Sequence, residues 1–403
     1  MNYLGKYACY FYIILWMMYY LQEMLMIAGI IAQTILVILI FISFYAFFQV
    51  NLYYQTGPYL KCLNFMLLVI TIYGLILFFS GFAIYPDEFN IKTGLQFGYL
   101  QRFYTSVLPI YVFYLFSLKG DLSENNIIYV FIMFLVCYIM MYYQNYFIVS
   151  EAIDKNEITN NMGYNFVPLI PLLALLKLRD VWKFSFLIII FAYIMMSMKR
   201  GAIVVGTLAL ILYLKHYLKH RSTKHVLYIL LSSVAVICVI YWFVMNLYET
   251  SDYFKSRLSS TMEGDTSTRS WMYPFYFEFF IHRTSGLEFL FGCGANATYL
   301  RLGEYAHNDW LEFAINQGIF GVLLYIIYWI SYVWEWKYYV GPLELSQALG
   351  DIIIIYFIVA LFSMSFDGMP TAATLCIGYC LAQNEKAKSE QFLNELKSKV
   401  LLS

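Results

Sequence analysis

"NIIYVFIMFLVCYIMMYYQNYFIV", residues 126–149, carries no charged side chain from end to end. An α-helix needs about 20 mostly apolar residues to cross the hydrocarbon core of a bilayer. The stretch meets that length, and so does "HVLYILLSSVAVICVIYWFVM" at 225–245. A transmembrane β-barrel would instead show segments of about ten residues that alternate in polarity. Across the 403 residues, 62% are hydrophobic and 12% charged, about half the charged share of a soluble domain. The fold class is therefore all-α, a polytopic membrane helical bundle. The formal net charge is zero, so the overall balance gives no sign of nucleic acid or of an acidic substrate as partner.

About twelve spans are expected, centred near residues 18, 38, 71, 109, 138, 170, 190, 209, 236, 326, 356 and 376. They divide the chain into transmembrane helices over 1–247, one long outer loop over 248–312, further spans over 313–385 and a tail over 386–403. The first apolar run passes into the next without a small-residue cleavage site, so the N-terminus is expected to remain as a membrane helix. The seven cysteines are odd in number and lie mostly in apolar runs, where a thiol behaves as a small hydrophobe. Neither a disulfide framework nor a metal site is indicated, and no cofactor is expected.

Lysine and arginine in short loops mark the cytoplasmic side of a membrane protein. "YLKHYLKHRSTKH" (213–225), "KLRDVWK" (177–183) and the tail "NEKAKSEQFLNELKSKV" (384–400) all carry such cations. Counting spans between them puts all three on one side, with both termini cytoplasmic. On that count "MMSMKRGAIV" (195–204) turns on the outer side, where Lys199 and Arg200 are out of place. Either the two side chains snorkel to lipid phosphates, or they hold an anion at the outer face. The planar donor fork of arginine suits phosphate oxygens. Arg102, in "GYLQRFYTS", is a second cation on the disfavoured side; it is an interfacial anchor among tyrosines or it lines the same cavity.

The outer loop contains "WMYPFYFEFFIHR" (271–283), expected as a short interfacial helix, and a glycine turn at Gly292 and Gly294. His307 and Asn308 follow, where the chain turns back into the membrane. Asn308 or Asp309 is placed to cap that helix. His307 can bind phosphate or move a proton near neutral pH. Gly318 and Gly321 have the spacing of close helix packing. In "NNMGYNFVPLIPLL" (160–173), Pro168 and Pro171 predict a broken span beside a groove.

Taken in order, "SMKRGA" (197–202), "STRSWMY" (267–273), "FGCGANA" (291–297) and "AHNDWLEFAINQGIFGVLLY" (306–325) resemble the O-antigen polymerase and O-antigen ligase superfamily. These are polytopic bacterial glycosyltransferases that use undecaprenyl-diphosphate-linked glycans. The resemblance covers roughly residues 195–330. Family members often have serine directly before the first motif arginine, whereas this chain has Lys199 there and Ser197 two places earlier. The resemblance implies that Arg200 and Arg269 engage the lipid diphosphate, with His307 as the loop histidine.

The expected mechanism follows from the charge that builds on a diphosphate leaving group, which fixed cations in a partly dehydrated site stabilise. Arg200 and Arg269, helped by Lys199, Arg257 or Arg301, would clamp the diphosphate. His307 would take the acceptor proton or orient the phosphate, with Glu312 as the alternative base and Asn308 beside it. The expected partners are the lipid-linked glycan donor and acceptor, membrane lipids and a chain-length regulator. A polymerase at the outer face of the bacterial inner membrane is the preferred reading, a ligase that moves the glycan to lipid A core the alternative. A transporter for the lipid-linked sugar is the competing class. It would show inverted repeats and midplane charges, and neither is found in the sequence.

Overall fold

A computed structural model describes residues 3–80, 94–152, 160–219 and 269–402, with isolated helical positions at 241–242, 245–246, 248–249, 255 and 259. Among the described residues the chain is all-helical, with no strand. Five helices are long and apolar enough to cross a membrane: Gly29–Tyr53, Pro58–Phe79, Ile127–Tyr146, Arg200–Lys219 and Asp309–Lys337. The expected span centre near 236, and the start of the loop with Arg257, lie outside the described residues.

In chain order the helices are α1 (Tyr3–Tyr20), α2 (Gly29–Tyr53), α3 (Pro58–Ser80), α4 (Gly94–Val107), α5 (Pro109–Lys119) and α6 (Ile127–Ala152). Next come α7 (Gly163–Phe166), α8 (Leu169–Leu172), α9 (Asp180–Met196) and α10 (Arg200–Lys219). After the incompletely described stretch follow α11 (Arg269–Glu278), α12 (Gly286–Phe291), α13 (Ala297–Leu302), α14 (Asp309–Lys337), α15 (Leu343–Val359) and α16 (Thr371–Leu402). Among the described residues, the expected centres outside the five long apolar helices fall on elements that are shorter, broken or less apolar.

Proline explains two of the breaks. Pro109 has no N–H for the preceding turn, so α4 ends at Val107 and α5 starts afresh. Pro168 and Pro171 divide 163–175 into α7, α8 and a 3-10 turn at Leu173–Leu175, the broken span that their spacing predicts.

The core is tightest where α5 meets the first half of α16. Ala372, Ala373, Cys376, Cys380 and Ala382 are fully buried there. At Gly378 a β-carbon would lie 2.6 Å from the Ile110 carbonyl oxygen, so only glycine admits this approach of two backbones. Tyrosines fill the interior, several with their hydroxyls paired: Tyr111 donates to Asn64 at 2.6 Å, Tyr12 shares a 2.8 Å bond with Ser43, and Tyr59 one of 3.2 Å with Tyr328. The outward faces remain apolar, with Ile30, Phe41, Phe48, Val204 and Ile211 all exposed. Such a surface suits lipid and not water.

The two ends of the bundle differ in chemistry. At one end buried Glu335 accepts hydrogen bonds from Asn384 (3.0 Å) and Lys388 (2.9 Å), Lys386 donates to the Ser117 carbonyl at 2.6 Å, and Lys177 pairs with Glu124. At the other end Tyr20 meets Thr371 at 2.6 Å, Gln317 donates to Tyr99 at 3.1 Å, and Asn308 donates to the Leu361 carbonyl at 2.8 Å. The candidate residues gather at this second end.

Candidate active site

The site is built at the corner between α9 and α10. Ser197 is fully buried; its hydroxyl donates to the Ile194 carbonyl at 2.6 Å and accepts from the Lys199 N–H at 3.3 Å. Met198 then takes a left-handed conformation, φ 50°, uncommon for a side-chain-bearing residue. The chain reverses within these few residues, and Arg200 opens α10 beside Lys199. Gly163 packs on Ser197, and Gly201 on Tyr164 and Phe362. The absence of side chains at these two glycines lets the broken segment and the chain after α15 close on the start of α10.

Arg269 opens α11, and Tyr273 lies one turn further on. The Tyr273 hydroxyl reaches the carbonyl oxygens of His307 (3.2 Å) and Leu361 (3.4 Å). The charge of Arg269 acts on Tyr164, Tyr273 and His307, and that of Lys199 also acts on His307. Three segments far apart in sequence thus bring Lys199, Arg269 and His307 into one electrostatic neighbourhood, with Arg200 adjoining Lys199. Partial burial first, and then the Arg269 and Lys199 charges, hold the His307 imidazole below the ordinary histidine pKa, against a smaller opposing effect of Glu304. His307 is exposed and its backbone is left-handed at φ 50°, a second strained residue at the cluster.

Asn308 caps α14, its side-chain oxygen accepting from the Leu311 N–H at 3.2 Å. Behind it two buried carboxylates tie the surroundings together. Asp309 accepts from the Tyr325 hydroxyl at 2.9 Å and the Ser365 N–H at 3.1 Å, and also from the Ser365 hydroxyl. Glu312 accepts from the Thr298 hydroxyl (2.6 Å), the Ala306 N–H (2.6 Å) and the Asn316 amide (3.1 Å). All its partners donate, so this carboxylate braces the loop that presents His307.

Gly318, with φ 69° and ψ −161°, breaks the helical path of α14. The carbonyl oxygens of Ile315 and Asn316 turn outward and accept from the N–H groups of Cys293 (2.8 Å) and Gly294 (3.1 Å). The close approach that Gly318 permits is to the end of α12 and the turn after it: a β-carbon would lie 2.6 Å from the Leu290 carbonyl oxygen and 2.5 Å from the Gly292 nitrogen. Its expected role in close helix packing is met here, against a short helix and across a break in α14 that the spacing does not predict. The glycine turn at Gly292 and Gly294, φ 81° and 102°, fits against the break.

The remaining candidates sit apart from the cluster. Arg301 pairs with Glu288 at 2.7 Å. Glu288 in turn closes a capping box with Ser285, and that backbone bond, with Arg301 in support, holds it below the usual carboxylate pKa. Arg102 lies 3.5 Å from Asp367 and donates to the Tyr305 hydroxyl (2.8 Å) and the Asn296 side-chain oxygen (3.3 Å). Its guanidinium stands 4.9 Å from the Tyr305 ring centroid, and Tyr305 stacks on Tyr299 at 5.1 Å. Beneath is a cavity of about 40 Å³ whose lining includes Tyr99, Asn296, Asp309, Glu312, Gln317 and Asp367. Among the described residues no group of three or more His, Cys, Asp or Glu side chains is arranged to hold a metal ion.

Sequence reasoning missed Tyr164, Tyr273, Asp309 as a tie, and Asp367. A signal for Tyr273 was present, since it follows Arg269 by four residues and shares its helix face. No model of a known protein family matches the chain, and a comparison with curated proteins finds no match.

Proposed function

We propose that this chain is a membrane glycosyltransferase, a surface-polysaccharide polymerase. It moves a growing glycan from undecaprenyl diphosphate onto a lipid-linked repeat unit at the outer face of the bacterial inner membrane. The observation that carries the reading is the convergence of Lys199, Arg269 and His307, with Arg200 adjoining, at one end of an apolar bundle. Cations from two separate segments, beside an imidazole from a third, suit a diphosphate leaving group, whose developing charge they stabilise. The lowered pKa of His307 keeps its imidazole neutral near pH 7, as acceptance of the acceptor hydroxyl proton requires.

The distribution of cations supports the orientation. Lys177, Lys215, Lys219 and Lys337, and the Lys386 and Lys388 pair, lie toward the opposite end, the cytoplasmic one under the positive-inside rule. In this reading the five long apolar helices, the shorter and broken ones and the span near 236 make about twelve crossings. Residues 248–312 form the outer loop and both termini are cytoplasmic. Membrane lipids and a chain-length regulator are the further partners. Arg301 and Arg102, each engaged by a carboxylate, stand outside the diphosphate clamp.

The test is a glycan ladder from a strain lacking its own copy, complemented with wild type, Arg200→Ala, Arg269→Ala or His307→Ala at matched membrane levels. Wild type is expected to restore a multi-band ladder. Loss of one preorganised charge from such a site lowers the rate about 100-fold or more, so the arginine variants are expected to leave single repeat units. Arginine variants that behave as wild type would sink the clamp. Long polymer stranded on the lipid carrier in the deletion strain would make the protein a ligase.

A further inference from the structure

Resting on the transferase reading, we infer that Tyr299 and Tyr305, with Arg102 and Asn296, form the subsite that holds the sugar ring of the acceptor. The cations at this end of the bundle fall into two groups. The charges of Lys199 and Arg269 both act on His307, and Arg200 adjoins Lys199. Arg102 meets Asp367 at 3.5 Å and is held in place by Tyr305 and Asn296. A diphosphate needs the first environment. A polyhydroxylated ring needs the second: a flat apolar surface for its C–H groups, and a rim of donors and acceptors without net charge.

Tyr299 supplies the surface on its outer face, backed by Tyr305. Tyr299 and Tyr305 lie 5.1 Å apart with their planes 26° from parallel, and Tyr299 is 37% exposed. Asn296 supplies an unmet donor. It is 2% exposed, its side-chain oxygen is taken by Arg102, and its Nδ2 has no hydrogen-bond partner. Buried donors are nearly always paired, and an alcohol oxygen satisfies this one. Asn296 and Asp367 both line the cavity of about 40 Å³, which has room for a hydroxyl or hydroxymethyl arm while the ring rests on the tyrosines. Tyr305 precedes His307 by two residues, a backbone reach of about 7 Å at most. The shelf and the loop histidine thus belong to one short segment.

The experiment measures initial rates of glycan extension in isolated membranes, titrating the strain's own lipid-linked repeat unit as acceptor. Wild type is compared with Tyr299→Ala, Tyr299→Phe and Arg269→Ala. Tyr299→Ala is expected to need about tenfold more acceptor for half-maximal rate, with the maximum kept within about twofold, while Tyr299→Phe retains the wild-type curve. A Tyr299→Ala curve that superimposes on wild type, with Arg269→Ala inactive, overturns the shelf and leaves the clamp standing. Equal impairment in Tyr299→Phe and Tyr299→Ala overturns ring stacking in favour of the hydroxyl. Full activity in Arg269→Ala overturns the clamp alone, whereas wild-type membranes that extend no glycan overturn the transferase reading, and this inference with it.

Discussion

His307 is the residue on which the electrostatics of the site act most directly. Burial and the positive charges of Arg269 and Lys199 depress its pKa, so the neutral form that accepts a proton persists to lower pH than in a free histidine. Removing one of those charges raises the pKa. Lys199→Gln is therefore expected to shift the acidic limb of the pH–rate profile upward, toward the ordinary value near 6.5; an unmoved limb would dissociate Lys199 from His307.

Glu312 shows how a residue's type can be legible and its role hidden. A carboxylate five residues after the histidine reads as a possible base. Its use as a brace depends on Thr298 and Ala306 arriving from other segments. Glu312→Gln turns an amide N–H₂ toward one of three donors, at a cost of about 1–3 kcal/mol. The expected result is a lower melting temperature in detergent, and an unchanged one would contradict the brace.

At the scale of elements, α14 couples the membrane to the loop through its own interruption. The helix begins at a capped end, runs to Gly318, and there frees two carbonyl oxygens that the 292–294 turn occupies. The break was not legible, because a Gly–x–x–Gly spacing in an apolar helix usually marks close helix packing. The φ of 69° with ψ of −161° at Gly318 is open essentially to glycine alone, and a β-carbon there meets the backbone of Leu290 and Gly292. Gly318→Ala is expected to cost about 3 kcal/mol or more, measured as loss of folded protein on heating. Gly98→Ala in α4 offers the comparison, since a β-carbon there meets open space. The proline-broken segment at 163–175, by contrast, was readable in advance, because a missing N–H acts locally whatever packs around it.

For the whole molecule, the division between a lysine-rich end and an end carrying the candidate site yields a prediction about sidedness. Glu304 and Gln391 are both exposed, at the site end and along the C-terminal helix. A membrane-impermeant maleimide added to intact cells is expected to label Glu304→Cys and to reach Gln391→Cys only after permeabilisation. The reverse pattern would put the site in the cytoplasm and remove the lipid-linked donor from consideration. The buried thiols Cys9, Cys137, Cys293, Cys376 and Cys380 contribute little background.

The sequence by itself determined the solvent and the class of fold. Long uncharged runs without the short alternating segments of a barrel leave apolar helices, because in lipid each backbone polar group must be bonded within a helix or a closed barrel. It also singled out Arg200 and His307, since a cation or histidine at the end of an apolar helix is conspicuous against its neighbours, while Arg269 was marked only by the resemblance of its motif. Only the tertiary structure decided which of the marked residues keep company. Arg102 and Arg301 look like Arg200 and Arg269 in sequence, yet Asp367 and Glu288 engage the first pair while His307 senses the charge of Arg269. Which groups a cation meets depends on what other segments bring to it, and Coulomb interaction follows distance in space, which local sequence pattern does not encode.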